Sequence, residues 1–257
     1  MLTIEQVERF RRDGFLKGSR VLSDAEIETL QAETLRVIED RDDPAKPQPV
    51  MCHLMGGNIW QIVNIWQASP AFRDLISNPT IVEEMLQLTR AKTLRLWHDQ
   101  IQFKPASTGG VNHWHQDGPY WPILQPKSQV TAWVALDDVD EGNGCMRMVP
   151  GSHLWGDHVK FLEALPSFDE MPSTFEGHQV KVVTCPVKKG EVHYHHALTW
   201  HGSGSNASGR PRRAIALHYM TEQTKYYASG EHVMKPFVTA DDGQELAGSH
   251  FPTVKDS

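Results

Sequence analysis

Among the 14 histidines of this 257-residue chain, His115 and His201 are the two whose surroundings suggest chemistry. His115 opens the run His115-Gln116-Asp117. In an extended strand residues i and i+2 share a face, so His115 and Asp117 are expected to present an imidazole and a carboxylate to one point. Two histidines and one carboxylate form a facial ligand set that holds Fe(II) on one side and leaves the opposite positions open. His201 is the best third ligand. From it a Gly/Ser turn, His201-Gly202-Ser203-Gly204-Ser205-Asn206, leads through Arg210-Pro211 to Arg212-Arg213 and the apolar run Ala214-Ile215-Ala216-Leu217. A guanidinium facing inward from that strand is a planar, two-pronged donor that suits a carboxylate better than an ammonium does. The chemistry this points to is a metal working with a carboxylate cosubstrate.

The motifs continue on both sides. Phe103-Lys104-Pro105 precedes the first histidine, and Tyr120 follows it. Then come Val130-Thr131-Ala132-Trp133-Val134-Ala135-Leu136-Asp137, Asn143-Gly144-Cys145, Val149-Pro150-Gly151-Ser152-His153, Gly190-Glu191 and His196. In this order the stretches resemble the phytanoyl-CoA dioxygenase family of Fe(II)/2-oxoglutarate oxygenases, from the first helices to Tyr219. The resemblance implies a double-stranded β-helix, the cupin-like jelly roll, with His115, Asp117 and His201 on Fe(II). It also implies that Arg212 pairs with the far carboxylate of 2-oxoglutarate while Arg213 points the other way. Trp133, Gln100 and Gln61 would lie near the cosubstrate, Ser203 would donate to the carboxylate that Arg212 holds, and His196 would help orient the distal ligand. The implied reaction uses O2 and releases succinate and CO2 while oxidising a C–H bond of a small molecule. A carboxylate at Asp117 favours hydroxylation over halogenation, and desaturation, ring closure or demethylation would use the same centre.

Other readings of the same residues stay open. His113 and His115 with His201 could form a three-histidine cupin site for an isomerase or a cosubstrate-free dioxygenase, leaving Asp117 and Arg212 idle. A non-catalytic binding protein of the same fold is a further alternative. Trp133 sits on an apolar run and reads equally as core. Tyr120, Trp121, His153 and Trp155 are candidates for the substrate side.

The elements that must position these groups can be read from pattern. Ile4, Val7 and Phe10 predict a short helix ended by Gly14. The capping box Ser23-Asp24-Ala25-Glu26 opens a longer one carrying Ile27, Leu30, Thr34, Val37 and Ile38, and a third starts near Pro79. Beyond Thr93 the pattern turns to short strands: 93–104, 130–137, 145–149, 179–185, 191–195 and 212–220. This predicts a mainly β protein with flanking helices, one domain over 1–257, with a mainly helical section at 1–92 and a motif-bearing jelly roll at 93–221. Residues 221–257 would cover the pocket or support oligomer contacts.

Composition excludes several classes. The net charge of −7 argues against general nucleic-acid or anionic-membrane binding. Cys52, Cys145 and Cys185 show no Cys-x-x-Cys spacing, so neither a disulfide frame nor a zinc knuckle is expected, and a reducing compartment fits. No basic-plus-apolar leader opens the chain, and no run approaches the roughly 18 apolar residues of a membrane span. A cytoplasmic enzyme with a small-molecule substrate is the expectation, its oligomeric state open.

Overall fold

Two side-chain caps start the first long elements. In the computed structural model, which describes residues 1–256, Thr3 caps helix α1 (Ile4–Asp13) reciprocally with Gln6, and Gly14 ends it with φ 82°. Phe10 is buried and Val7 half-buried, but Ile4 is 79% exposed, so the expected apolar face is one residue shorter than its spacing suggested. Strand β1 (Phe15–Arg20) follows, then α2 (Asp24–Asp40) under its Ser23–Glu26 capping box. Its Ile27, Leu30, Thr34, Val37 and Ile38 are all buried, as the periodicity predicts.

Next come β2 (Met51–Met55), β3 (Ile59–Val63), α3 (Pro70–Leu75) and α4 (Pro79–Thr89). The segment 1–92 carries more helix than strand, but it also contributes three strands to the sheet, and a short helix precedes the one expected at Pro79. These strands are short, and they are held by partners far along the chain, which local pattern does not reveal. β1 pairs with β12 (Glu191–His196), and β3 pairs with β4 (Leu94–Lys104).

Between and beyond them lie β5 (Asn112–His115), β6 (Leu124–Gln125), β7 (Val130–Ala135), β8 (Met146–Met148), α5 (Val159–Glu163), β9 (Thr174–Phe175), β10 (His178–Gln179) and β11 (Val183–Cys185). After β12 come β13 (His201–Ser203), β14 (Arg212–Thr221), β15 (Lys225–Tyr226) and β16 (Thr253–Lys255). An eight-stranded sheet runs β1-β12-β7-β14-β4-β3-β2, with β16 also on β4. A four-stranded sheet runs β11-β8-β13-β5. The two stack as a jelly roll: Trp133, Ala135, Ala214 and Ala216 of the large sheet share one apolar cluster with Met146, Met148 and Cys185 of the small one.

Alternation along β14 divides the molecule. Ile215, Leu217 and Tyr219 face outward into a core shared with α2, α3 and α4, while Arg212, Ala214, Ala216 and His218 face the small sheet. The outward face supplies stability, at about 1.5–3 kcal/mol for each fully buried large aliphatic side chain. The inward alanines leave room, and a cavity of about 700 Å³ opens between the sheets.

One polar contact fixes α4 on the outer face. Glu84 is 1% exposed, and its carboxylate accepts hydrogen bonds from Tyr194 Oη at 2.7 Å and Ser19 Oγ at 3.2 Å. Tyr194→Phe keeps the ring but strips a donor from a buried carboxylate, which should cost about 1–3 kcal/mol. Urea unfolding should therefore show an earlier midpoint with an unchanged slope, whereas an unshifted midpoint would mean that the contact does not hold the helix.

Candidate metal centre and cosubstrate pocket

Strand register brings the two histidines together. β13 lies between β8 and β5, and its pairing with β5 sets His201 opposite His115, with ring centroids 4.1 Å apart. Both rings are oriented from behind: the backbone carbonyl of His113 lies 2.7 Å from His115 Nδ1, and that of Thr199 lies 2.9 Å from His201 Nδ1. A carbonyl only accepts, so each Nδ1 carries the proton and each Nε2 offers a lone pair. Burial pushes His115 down to about 4 and also lowers His201, which keeps both rings neutral at ordinary pH.

Asp117 reaches the same point by a route that the i, i+2 rule does not describe. β5 ends at His115, and Asp117 has helical backbone angles (φ −70°, ψ −46°) at the start of a single 3-10 turn. Its Oδ1 nonetheless lies 3.6 Å from Nε2 of both His115 and His201. Burial raises the Asp117 carboxyl, but His201 and the hydrogen bond from His195 outweigh it and hold the group well below its usual range. Gln116 builds this turn. Its side chain is buried, donates to the carbonyls of Gly156 and Leu198, and accepts from the backbone N–H of His158.

Of the described residues, His115, Asp117 and His201 are the group whose ligand atoms lie close enough to hold one ion, all within 4.8 Å of one another. Two neutral imidazoles and one carboxylate aimed at a shared point fit a borderline divalent ion such as Fe(II). His113 lies outside that group, so the three-histidine arrangement is not formed. His196 does not touch His201; its Nδ1 accepts from Leu198 N–H at 3.1 Å, so it shapes the loop leading to the Thr199 carbonyl.

The cosubstrate candidates line the same cavity. Arg212, Ser203, Trp133, Gln100 and Gln61 all face it, and the Arg212 guanidinium sits 5.4 Å over the Trp133 ring. Arg213 points the other way and pairs with Asp137 at 2.7 Å. Arg212 is fully buried. Its Nε and Nη2 donate to the Gly144 carbonyl, Nη2 also to Ser203 Oγ at 3.0 Å, and Nη1 reaches only Gln102 O at 3.5 Å. Gly144 can take part because it is glycine: its φ is 82°, and a Cβ there would strike the Gly204 carbonyl.

Three residues here were not anticipated. Lys104 lies opposite Arg212 in the β14–β4 register and is buried; its Nζ donates to Ser203 Oγ at 2.7 Å and to the carbonyls of Ser203 and Gly204. Burial, then Arg212, pushes Lys104 down to about 5. Asn112 and Gln102 complete the network, Asn112 Nδ2 donating to Gln102 Oε1 at 3.1 Å. Ser203 Oγ accepts from both Lys104 and Arg212 and donates to Asn112 Oδ1 at 3.3 Å. In this state it does not project a donor into the pocket, contrary to the expectation. The sequence signal was present in Phe103-Lys104-Pro105, but only the register shows which way Lys104 points.

On the opposite side, Tyr120 and Trp121 line the cavity as expected, joined by His98, His232, Met51 and Glu163. His153 and Trp155 do not. His153 lies 3.1 Å from the Arg11 carbonyl, and Trp155 packs in an aromatic group with Trp200, Phe175 and His178 beneath the α5 segment. His232 and Val233 show that the C-terminal segment does contribute to the pocket wall.

Comparison with known proteins agrees with this geometry. The family described as phytanoyl-CoA dioxygenase matches residues 10–214. The ectoine dioxygenase of Bordetella parapertussis is 27% identical over 85% of this chain and 75% of its own length. Rat peroxisomal phytanoyl-CoA dioxygenase is 26% identical over 88% and 70%. Among solved structures, the non-haem α-ketoglutarate-dependent carbocyclase SnoK from nogalamycin biosynthesis superposes with TM-score 0.78 at 27% identity, covering 99% of this chain and 97% of its own. The epimerase SnoN, in complex with Fe3+, α-ketoglutarate and nogalamycin RO, superposes with TM-score 0.75 at 25% identity over 98% of each chain. No described helix is long and apolar enough to cross a membrane. Motifs, jelly-roll fold and matched span together place this chain in the phytanoyl-CoA dioxygenase family of Fe(II)- and 2-oxoglutarate-dependent oxygenases.

Proposed function

We propose that this protein is a dioxygenase that hydroxylates a C–H bond of a small-molecule metabolite, with His115, Asp117 and His201 holding Fe(II) and Arg212 holding the far carboxylate of 2-oxoglutarate. One observation carries the reading. Arg212 and Lys104 are buried side by side, and their hydrogen bonds go to carbonyls and a hydroxyl, never to a carboxylate. Burial and the neighbouring guanidinium hold Lys104 at about 5, so the permanent charge here is that of Arg212, and a buried charge without a counter-ion is unfavourable. A dicarboxylate spanning from the metal ligands to Arg212 supplies the missing anion.

When bound, Fe(II), 2-oxoglutarate and O2 supply the oxidising chemistry, with succinate and CO2 as by-products. The chain's own residues bind and orient. Trp133 presents its ring to the guanidinium, while Gln100, Gln102 and Gln61 offer amides along the path of the cosubstrate. The aromatic wall of Trp121, Tyr120, His98 and His232 is where a substrate would be kept from water. Apart from Asp117 and the histidines, the acidic and basic side chains on the cavity wall are Arg212 and Glu163. With Arg212 committed to the cosubstrate, no lysine or arginine remains on the wall for a substrate anion, which supports an uncharged or cationic, partly apolar metabolite.

A second reading keeps the same centre but ends in ring closure or epimerisation, favoured by the end-to-end superposition on SnoK and SnoN. Product mass separates the outcomes: one oxygen gained, two hydrogens lost, or no change.

Anaerobic titration of the apoprotein with Fe(II) and then 2-oxoglutarate should give a visible charge-transfer band, lost in Asp117→Ala. In Arg212→Ala the affinity for 2-oxoglutarate should fall about 30-fold or more, because truncating one partner of a buried hydrogen-bonded charge pair costs about 2–5 kcal/mol. Metal binding with no band in the parent protein would sink the cosubstrate assignment.

Lys104 provides a pH test. A carboxylate brought to Arg212 offsets the repulsion that helps hold Lys104 at about 5, so its affinity for protons rises on binding. A group whose pKa rises in the complex favours binding most fully below its free pKa, and that contribution is lost as pH climbs through the bound value. Calorimetry near neutral pH in buffers of different ionisation enthalpy should show proton uptake with 2-oxoglutarate, and affinity should weaken as pH rises. Lys104→Met should abolish the uptake; uptake unaltered in that variant would assign the proton elsewhere.

A further inference from the structure

We infer that His195, with Thr131 behind it, is a positioning residue that restricts Asp117 to ligation through one oxygen and so keeps a coordination position free for the cosubstrate. This rests on the iron-site reading above and concerns residues outside the ligand motif.

The large sheet aligns four polar side chains in one row. Cα pairing sets His195 of β12 opposite Thr131 of β7, Thr131 opposite His218 of β14, and His218 opposite His98 of β4. Strand alternation sends all four to the inner face, at the level of Asp117. His195 Nε2 lies 3.2 Å from Asp117 Oδ2, and Thr131 Oγ1 lies 3.4 Å from the same oxygen. His218 Nδ1 stands 2.7 Å behind Thr131 Oγ1.

The proton assignments follow from chemistry. An ionised carboxylate only accepts, so Nε2 of His195 carries the proton and donates it. Its Nδ1 is buried without a hydrogen-bond partner, which suits a bare lone pair better than a stranded N–H. If Thr131 gives its single proton to Asp117, His218 Nδ1–H must donate to Thr131. Oδ2 thereby takes one hydrogen bond from an imidazole and a longer one from a hydroxyl, while Oδ1 stays 3.6 Å from Nε2 of both His115 and His201.

The lock has work to do because of the backbone. Asp117 lies beyond the end of β5 in a single turn, where no strand ladder holds its residue in place. A carboxylate free to rotate could ligate through both oxygens and occupy a position the cosubstrate needs. Removing the His195 donor should therefore weaken the cosubstrate more than the metal, a split that lost packing would not produce.

The test uses the apoprotein and Mn(II) alone, read by the free-ion electron paramagnetic resonance signal, and then 2-oxoglutarate titrated calorimetrically into the Mn(II)-loaded protein. His195→Phe should bind 2-oxoglutarate about 10- to 100-fold more weakly while Mn(II) affinity changes less. His195→Gln, which can place an amide N–H near the Nε2 position, should recover most of the loss. Thr131→Val, which removes only the hydroxyl donor, should move in the same direction by a smaller factor and replaces His195→Phe if that variant fails to fold. Equal losses of metal and cosubstrate in all three, or affinities unchanged in His195→Phe, would overturn the inference. Absence of Mn(II) binding by the parent would instead overturn the iron-site reading on which it stands.

Discussion

Strand alternation in the large sheet is the constraint on which the rest of this molecule depends. Each of β4, β7, β12 and β14 sends every second side chain to a helix-covered apolar core and the others toward a polar cavity. The two faces have opposite requirements. Ile215, Leu217, Val134, Ala132 and Tyr194 bury apolar surface against α2, α3 and α4 and keep the sheet folded. Facing inward at the intervening positions are Arg212, His218, Trp133, Thr131, His193 and His195, groups that a core built for stability alone would exclude. A one-residue slip of any of these strands would exchange the two sets, so the apolar face protects the register of the functional one.

That division also explains why the polar groups survive burial. The imidazoles of His115, His193, His201 and His218 are pushed down by desolvation and so are present in the neutral form, which is the form that ligates or hydrogen-bonds. Lys104, pushed down to about 5, is handled in the same way, but Arg212 is not, because a guanidinium stays charged. Their solvation is replaced by the carbonyls of Gly144, Ser203 and Gly204 and by Ser203 Oγ. Carbonyl dipoles are weaker partners for a cation than a carboxylate, so this end of the cavity is preorganised for an anion.

The sequence made some of this legible and hid the rest for identifiable reasons. Signals carried within a few residues were readable: the caps at Ser23 and Gly14, the burial of Ile27 to Ile38, the alternation in β14 that separates Arg212 from Arg213, and the two histidines and carboxylate themselves. What stayed hidden was information spread across distant segments. Nothing local marks Phe15–Arg20 as an edge strand, since it pairs with residues near 193. Lys104 stands inside a motif stretch, but its contact with Ser203 depends on a strand 99 residues later. The row His195, Thr131, His218 and His98 is continuous only after four strands have found their register. Asp117 meets the two histidines, but through a turn and not through i, i+2 alternation, because the strand ends at His115.

The last of these points bears on how such a centre is built. A carboxylate held by the ladder of a long strand would have its direction fixed by backbone, whereas one set in a turn must be fixed by side chains. Here the turn is anchored by Gln116, which ties three separate carbonyl and N–H groups together, and the carboxylate is then oriented by donors on a different sheet. The two histidines, by contrast, are oriented by backbone carbonyls two residues back in the chain, that of His113 within β5 and that of Thr199 just before β13. The orientation of the three candidate ligands is therefore split: the small sheet places the imidazoles, and side chains of the large sheet contact the acid. On the proposed iron site, changes on the inner face of the large sheet would alter how the acid ligates without moving either histidine, giving one scaffold a way to vary its reaction while its ligand motif stays the same.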